Sequence, residues 1–183
     1  AASNETRGII SAGYDAPTNI NTIQFVTMAS TGNARDFGDG LENRGQQCIS
    51  STIRYVSAGG YGSPNYDGSG SYAYLNIIDF LTFSTTGNPK DFGDLSVAAY
   101  GSSGGTSSST RGIFAMGSTD AAGYSNAIEY LTMSTLGNTA DFGDLVMSGV
   151  HTQTYSNAVR GVAHGHYQYP TSPNHSNVIE FVT

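Results

Sequence analysis

Tryptophan is absent, cysteine and lysine occur once each, at Cys48 and Lys90, and there are only five prolines in 183 residues. A single cysteine excludes an intrachain disulfide framework. Cys48 falls in a stretch that reads as an inner strand, so it is expected to be a small packed side chain rather than a nucleophile. Basic residues number 7 against 14 acidic ones, a formal net charge of −7. Nucleic-acid binding by phosphate neutralisation, which needs clustered Lys and Arg, is therefore not expected. No run approaches the roughly 20 apolar residues of a membrane-spanning helix, and nothing at the start reads as a signal peptide. Helical periodicity is missing throughout. With 11% of residues charged, polarity rests on hydroxyls and amides.

What the chain does have is one segment written three times: TGNARDFGD at Thr31 to Asp39, TGNPKDFGD at Thr86 to Asp94, and LGNTADFGD at Leu136 to Asp144. A second anchor, Asn-x-Ile-x-aromatic, recurs at Asn21, Asn76, Asn126 and Asn177, in steps of 55, 50 and 51 residues. A third is an Arg at positions 7, 54, 111 and 160, each opening a β-branched run. A period near 50 built from strand-like pieces predicts an all-β repeat, a propeller of four-stranded blades, rather than a helical solenoid.

Within the unit, Ile23, Phe25 and Thr27 alternate with polar positions, as do Ile78, Phe80 and Thr82, Ile128, Tyr130 and Thr132, and Ile179, Phe181 and Thr183. Period two over seven residues predicts a strand, C. Gly-Asn then supplies turn chemistry and DFGDL opens strand D. The Arg run predicts strand B, preceded by a short inner strand A. One repeat domain over residues 1–183 follows, with blades at about 1–42, 43–99, 100–148 and 149–183. The fourth stops within strand C, so a longer chain or another copy is expected to complete the ring.

Spacing separates scaffold from candidate site. The interval from the strand C Asn to the first Asp of DFGD is 15 residues in every complete unit, whereas the B–C interval from Arg to Asn is 14, 22, 15 and 17. Length variation is thus confined to one end of the sheets, where recognition loops usually sit. The richest is the blade 2 loop, with Tyr61, Tyr66, Asp67, Tyr72 and Tyr74 among Gly, Ser and Asn, a composition that suits protein or sugar recognition. Tyr14, Asp15, Asp120, Tyr167 and Tyr169 fall in the corresponding loops and join the candidate ligand-binding set. His164 and His166 interrupt the repeat two residues apart, which is half of a metal site; no metal or other cofactor is expected. Asp36/Asp39, Asp91/Asp94 and Asp141/Asp144 recur with the blade and read as turn caps. Asp79, Glu129 and Glu180 are placed to pair with the strand B Arg across strands, although Gln24 stands in blade 1. A glycosidase would need two carboxyl groups at fixed separation, and Asp15, Asp67 and Asp120 are the unrepeated acids on the variable face.

The NVIEF-type strand, the TGNxxDFGDL turn and the STRGI strand at Ser109 to Ile113 together resemble the kelch-like repeats of bacteriophage tail-fibre and tail-associated proteins, particularly those of marine and cyanobacterial hosts. The resemblance spans nearly the whole chain. It departs from cellular kelch repeats in lacking Trp and in keeping a Gly-Gly pair only at Gly59-Gly60. It implies a non-enzymatic virion component, extracellular, that displays a binding face to a host-surface glycan or protein and contacts other virion proteins. A purely structural virion protein and a glycan-degrading hydrolase are the competing expectations.

Overall fold

The repeated sequence folds into repeated sheets. The computed structural model describes residues 1–41, 43–65, 69–100, 105–115, 117–120, 123–168 and 175–183, and among them every regular element is a β-strand. The first sheet runs β1 (Ala2–Ser3), β2 (Arg7–Asp15), β3 (Thr18–Thr27) and β4 (Arg35–Asp39), all antiparallel neighbours in chain order. After β5 (Asn43–Arg44), the second sheet is built on β6 (Gln47–Ser50), β7 (Arg54–Ala58), β9 (Ala73–Thr82) and β10 (Lys90–Tyr100), with β8 (Tyr61–Gly62) bridging β5 and β9. The third contains β11 (Gly105–Ser107), β12 (Arg111–Ala115), β15 (Ala127–Thr132) and β16 (Ala140–Asp144). Between β12 and β15, β13 (Ser118–Thr119) and β14 (Gly123–Tyr124) leave their own sheet and extend the second. The fourth sheet is β17 (Gln153–Ser156), β18 (Gly161–His164) and β19 (Ile179–Val182).

The sequence expectation, four strands in a complete unit and three in the fourth, matches the first, third and fourth sheets, whereas the second has eight. Of the four extra strands, β13 and β14 join because β10 runs past DFGDL to Tyr100, so that Ala99 and Tyr100 offer an edge to which Thr119 and Ser118 pair, and β5 and β8 join through the pairing of β8 with β9.

Three apolar layers separate the four sheets. Ile9, Ile23, Phe25 and Phe37 of the first sheet pack on Tyr55, Leu81 and Phe83 of the second. Val56, Ile78 and Phe92 pack in turn on Phe114, Leu131 and Met133 of the third, and Ala115, Ile128 and Leu145 on Ala163, with Val182, of the fourth. Side chains one residue apart on strand C thus face successive neighbours, as period two requires. Full burial of each large apolar side chain contributes about 1.5–3 kcal/mol. The outer faces are open: Ile10 is 49% exposed on the first sheet, Ile179 and Phe181 are 72% and 62% exposed on the fourth.

The first strands of the sheets lie side by side, joined by hydroxyl groups. Ser50 Oγ donates to Ser3 O (2.8 Å), Ser107 Oγ to Ser50 O (2.7 Å) and Ser156 Oγ to Ser107 O (3.1 Å). The A–B turns are equally uniform. Asn4, Ser51, Ser108 and Asn157 each accept, through a side-chain oxygen, the N–H of the Arg three residues on, at 2.8, 3.0, 3.1 and 2.8 Å. Asx and Ser turns of this kind satisfy backbone donors without a helix.

The expected Arg–acid pairs do not form. Arg7, Arg54, Arg111 and Arg160 stack instead over Phe25, Phe80, Tyr130 and Phe181, with the guanidinium carbon 4.7, 4.9, 4.9 and 4.4 Å from the ring centroid. Register explains this. Arg7, Arg54 and Arg111 lie opposite Thr27, Thr82 and Thr132, which share a face with the aromatic residue, while the acid one position away points through the other face. There the acid joins two sheets: Glu129 accepts from Ser96 N (3.2 Å), from Ser96 Oγ and from Thr139 Oγ1 (2.5 Å), and Glu180 accepts from Met147 N (3.3 Å) and Val146 N (2.5 Å). Gln24 occupies the same position on the uncovered face of the first sheet and is exposed.

Between the first two sheets a polar group sits inside the apolar layer. The Tyr55 hydroxyl, on a side chain 1% exposed, bonds Ser11 Oγ and lies 3.0 Å from Cys48 Sγ. Cys48, in β6 as expected for an inner strand, is half-buried. Burial pushes the Tyr55 hydroxyl well above tyrosine's ordinary pKa of 10.0, the Cys48 thiol adds to the rise, and hydrogen bonds with Ser11 and Gln46 oppose it. A raised folded-state pKa means stability that is fully present below the unfolded value and lost as pH climbs beyond it. Denaturant melts from pH 8 to 12 are thus expected to show stability falling from about pH 10 upward, with a shallower fall in Tyr55→Phe. Parallel curves for the two proteins would remove Tyr55 as the source.

Candidate functional site

The B–C ends of the first three sheets meet around four tyrosines. Tyr61 and Tyr74 face one another across β8 and β9, because their backbones pair in register. Their rings meet edge to face, centroids 6.0 Å apart. Tyr72 lies 6.1 Å from Tyr61, and Tyr100, at the end of β10, lies 5.8 Å from Tyr61 and stacks on Tyr74 at 5.5 Å. These separations are those of favourable aromatic pairs. Tyr72 is 39% exposed and the other three are half-buried, so the cluster is packed at its base and partly open to solvent.

Both neighbouring sheets hold this cluster. Asn19, 7% exposed in β3, donates its amide to Tyr61 O (2.9 Å), and its register partner Tyr14 is 53% exposed beside it. On the other flank the Tyr74 hydroxyl is 3.4 Å from Ser118 Oγ, and Ser118 pairs with both Tyr100 and Tyr124. The loop after Tyr61 has an ordered base. Ser63, fully buried, donates to Ser69 O (2.6 Å) and accepts from Asn65 N (3.2 Å), while Asn65 Nδ2 donates to Ser69 Oγ (2.9 Å).

Of the residues singled out by spacing, Tyr61, Tyr72 and Tyr74 come together, with Tyr14 and the exposed Asp15 on one flank and the exposed Asp120 just beyond β13 on the other. Tyr66, Asp67 and Tyr169 lie outside the described residues. Tyr167 belongs to a different group, its ring 5.1 Å from His175 and 6.3 Å from His151. Tyr100 was missed, as were Asn19 and Ser118. The alternation of LSVAAY after DFGD is the signal that strand D continues to Tyr100.

The histidines take separate partners, contrary to the shared face that their spacing predicts. His164 ends β18 and stacks on Tyr155 at 5.6 Å. Gly165, at φ +80°, turns the chain, and His166 is buried, with Nδ1 3.2 Å from Thr152 Oγ1 and Nε2 3.1 Å from Glu180 Oε1. Among the described residues no group of three His, Cys, Asp or Glu is placed to hold a metal ion.

No protein-family model and no curated protein matches the chain.

Proposed function

We propose that the chain is part of a kelch-like β-propeller acting as a non-enzymatic binding module on a virus particle, of the phage tail-fibre kind, with the tyrosine cluster as its contact surface. The observation that carries this is the convergence of Tyr61, Tyr72, Tyr74 and Tyr100 at the end of the sheets where loop length varies. The propeller reading is supported by four sheets stacked through apolar layers with their first strands side by side, as blades stack about an axis. Tyrosine rings offer rigid amphipathic area, and Asn19, Ser118 and the Ser63 loop fix them, so little order is lost on binding. The ligand class is a glycan or protein of the host surface, and weak single sites become strong attachment when several copies engage one surface. The bound particle and other virion proteins are the remaining partners.

Fluorescently labelled protein is expected to bind intact bacterial cells or purified surface polysaccharide saturably, and Tyr72→Ala, an exposed and structurally mild change, to weaken that binding about tenfold or more. Unchanged binding by a folded Tyr72→Ala variant would sink the contact assignment. Absence of binding to every surface tested would favour the structural virion role, for which a self-packed ring cluster bonded to two neighbouring sheets is also suited. The hydrolase alternative needs one carboxyl group in an apolar pocket; of its three acids, Asp15 and Asp120 are exposed and Asp67 lies outside the described residues.

A further inference from the structure

Each of the three sheet junctions carries the same row of backbone partners at the end where loop length varies. Chain leaving strand D pairs with the residue seven places after the next sheet's strand B Arg, and that residue pairs with chain returning to strand C. The row is Arg44, Tyr61 and Tyr74 at the first junction, Tyr100, Ser118 and Tyr124 at the second, and Val150, Tyr167 and His175 at the third. Directly opposed residues of antiparallel partners project to one side. The first two rows supply Tyr61, Tyr74 and Tyr100 of the tyrosine cluster; the third is a separate platform on the same frame.

Main chain fixes the third row. Val150 and Tyr167 exchange both backbone hydrogen bonds, at 2.9 and 3.0 Å, and Ser176 N donates to His166 O (2.9 Å), which sets the His175 ring 5.1 Å from that of Tyr167. His151 follows Val150 and in an extended strand would point away from the row. Its backbone is instead left-handed, at φ +59°, and its ring lies 6.3 Å from Tyr167. Among the described residues only Ala12 shares this conformation outside glycine. Both imidazoles are exposed and Tyr167 is half-buried.

The charge around this platform differs from that of the rest of the chain. Residues 149–183 hold one of the 14 acidic residues, Glu180, and one of the 7 basic ones, Arg160, so the formal charge of −7 resides in residues 1–148. No Asp or Glu occurs between Asp144 and Glu180, and all four histidines fall there. Glu180 meets the buried His166, which as the neighbour of Tyr167 points to the other face, and it accepts Val146 N and Met147 N. Arg160 is at the opposite end of its sheet, over Phe181. The tyrosine cluster, by contrast, has the exposed Asp15 and Asp120 on its flanks.

We propose that His151, Tyr167 and His175 form a second binding site, for a sugar that carries an anionic group. Imidazole N–H groups donate to a carboxylate or sulfate, and such charge-assisted bonds are roughly twice as strong as neutral ones. The Tyr167 ring offers flat amphipathic area to the apolar face of the sugar. With the acids absent from this stretch of chain, an anion meets no repulsion from neighbouring loops of the same unit. The site stands on these three residues and does not need the tyrosine cluster to be a contact surface.

The test is calorimetric titration of the full chain with short oligogalacturonate, with sulfated dextran oligomers and with neutral dextran oligomers of matched length. Saturable binding of one or both anionic probes is expected, the arm that binds telling carboxylate from sulfate, with none of the neutral probe and with weakening as salt is raised. His175→Ala and His151→Asn, the latter at ease in a left-handed backbone, are each expected to weaken binding about tenfold. His175→Arg keeps a donor and a charge and should retain it, and Val159→Ala, exposed at the opposite end of the sheet, should leave it unchanged. A folded protein that binds neither anionic probe, or binds the neutral one equally, would overturn the inference, as would binding indifferent to both histidine changes. Binding lost in Tyr72→Ala yet kept in His151→Asn would also overturn it, by placing the anionic sugar on the tyrosine cluster and leaving that contact surface standing.

Discussion

Gly93→Val is expected to cost about 3 kcal/mol or more, a large fraction of the stability of an ordinary domain. Two effects add. Gly93 sits at φ +149°, a conformation that a β-branched residue adopts only under strain of about 1–3 kcal/mol. A side chain there would also run into the backbone of Gly137, the turn that closes the second sheet on the third, and forcing such an approach costs about 1–3 kcal/mol more. The register shift between Asp91 and Gly93 shows why the position is demanding: Phe92 is the extra residue of a β-bulge, and the bulge bends the strand toward its neighbour's turn. Gly143→Val is the control, with φ +137° but open space around its Cβ, so it should bear the strain alone. Chemical denaturation of the three proteins measures the difference. Equal losses for Gly93→Val and Gly143→Val would mean that the close approach contributes nothing.

Glu129→Ala is expected to destabilise by about 3 kcal/mol. The carboxyl group is 4% exposed and receives Ser96 N, Ser96 Oγ and Thr139 Oγ1, all of which would lose their acceptor when it is removed. Glu129→Gln keeps one acceptor oxygen and should lose about half as much. Gln24→Ala, at the equivalent exposed position, should change stability by no more than about 0.5 kcal/mol. Thermal melts that place Glu129→Ala level with Gln24→Ala would refute the role of the acid as a tie between sheets.

These two positions show where sequence reasoning stopped. The motif DFGD and the strand C acid were both legible as recurring, and recurrence alone marks a residue as scaffold. Its partner is another matter. Asp94 reads as a turn cap, yet it is the backbone N–H of Asp94 that meets Asn138, and the carboxylates of Asp91 and Asp141 are exposed. Glu129 reads as the mate of Arg111 because both flank one hairpin, yet an offset of one position sends them through opposite faces of the sheet. Likewise the tyrosine cluster was half legible. Tyr61, Tyr72 and Tyr74 lie in one loop, but Tyr100 comes from the far end of the strand that DFGDL opens, and Asn19 and Ser118 come from the neighbouring repeats.

The all-β class, the antiparallel order of strands within the first and third sheets, and the A–B turns were settled by local chemistry: alternation with period two, Gly-Asn at the reversals, and Asn or Ser three residues before each Arg. Each depends on residues within a few positions of one another, which is why the chain alone determines them. The closing of a Gly-Asn turn on the DFGD strand of the sheet before, as where Asp94 N donates to Asn138 Oδ1, the transfer of β13 and β14 to the second sheet, and the meeting of four tyrosines depend on how sheets lie against each other. Asp94 and Asn138 stand 44 residues apart, and even the nearer partners are separated by turns of unequal length, so only the packing of apolar layers between sheets decides which of many identical-looking polar groups meet.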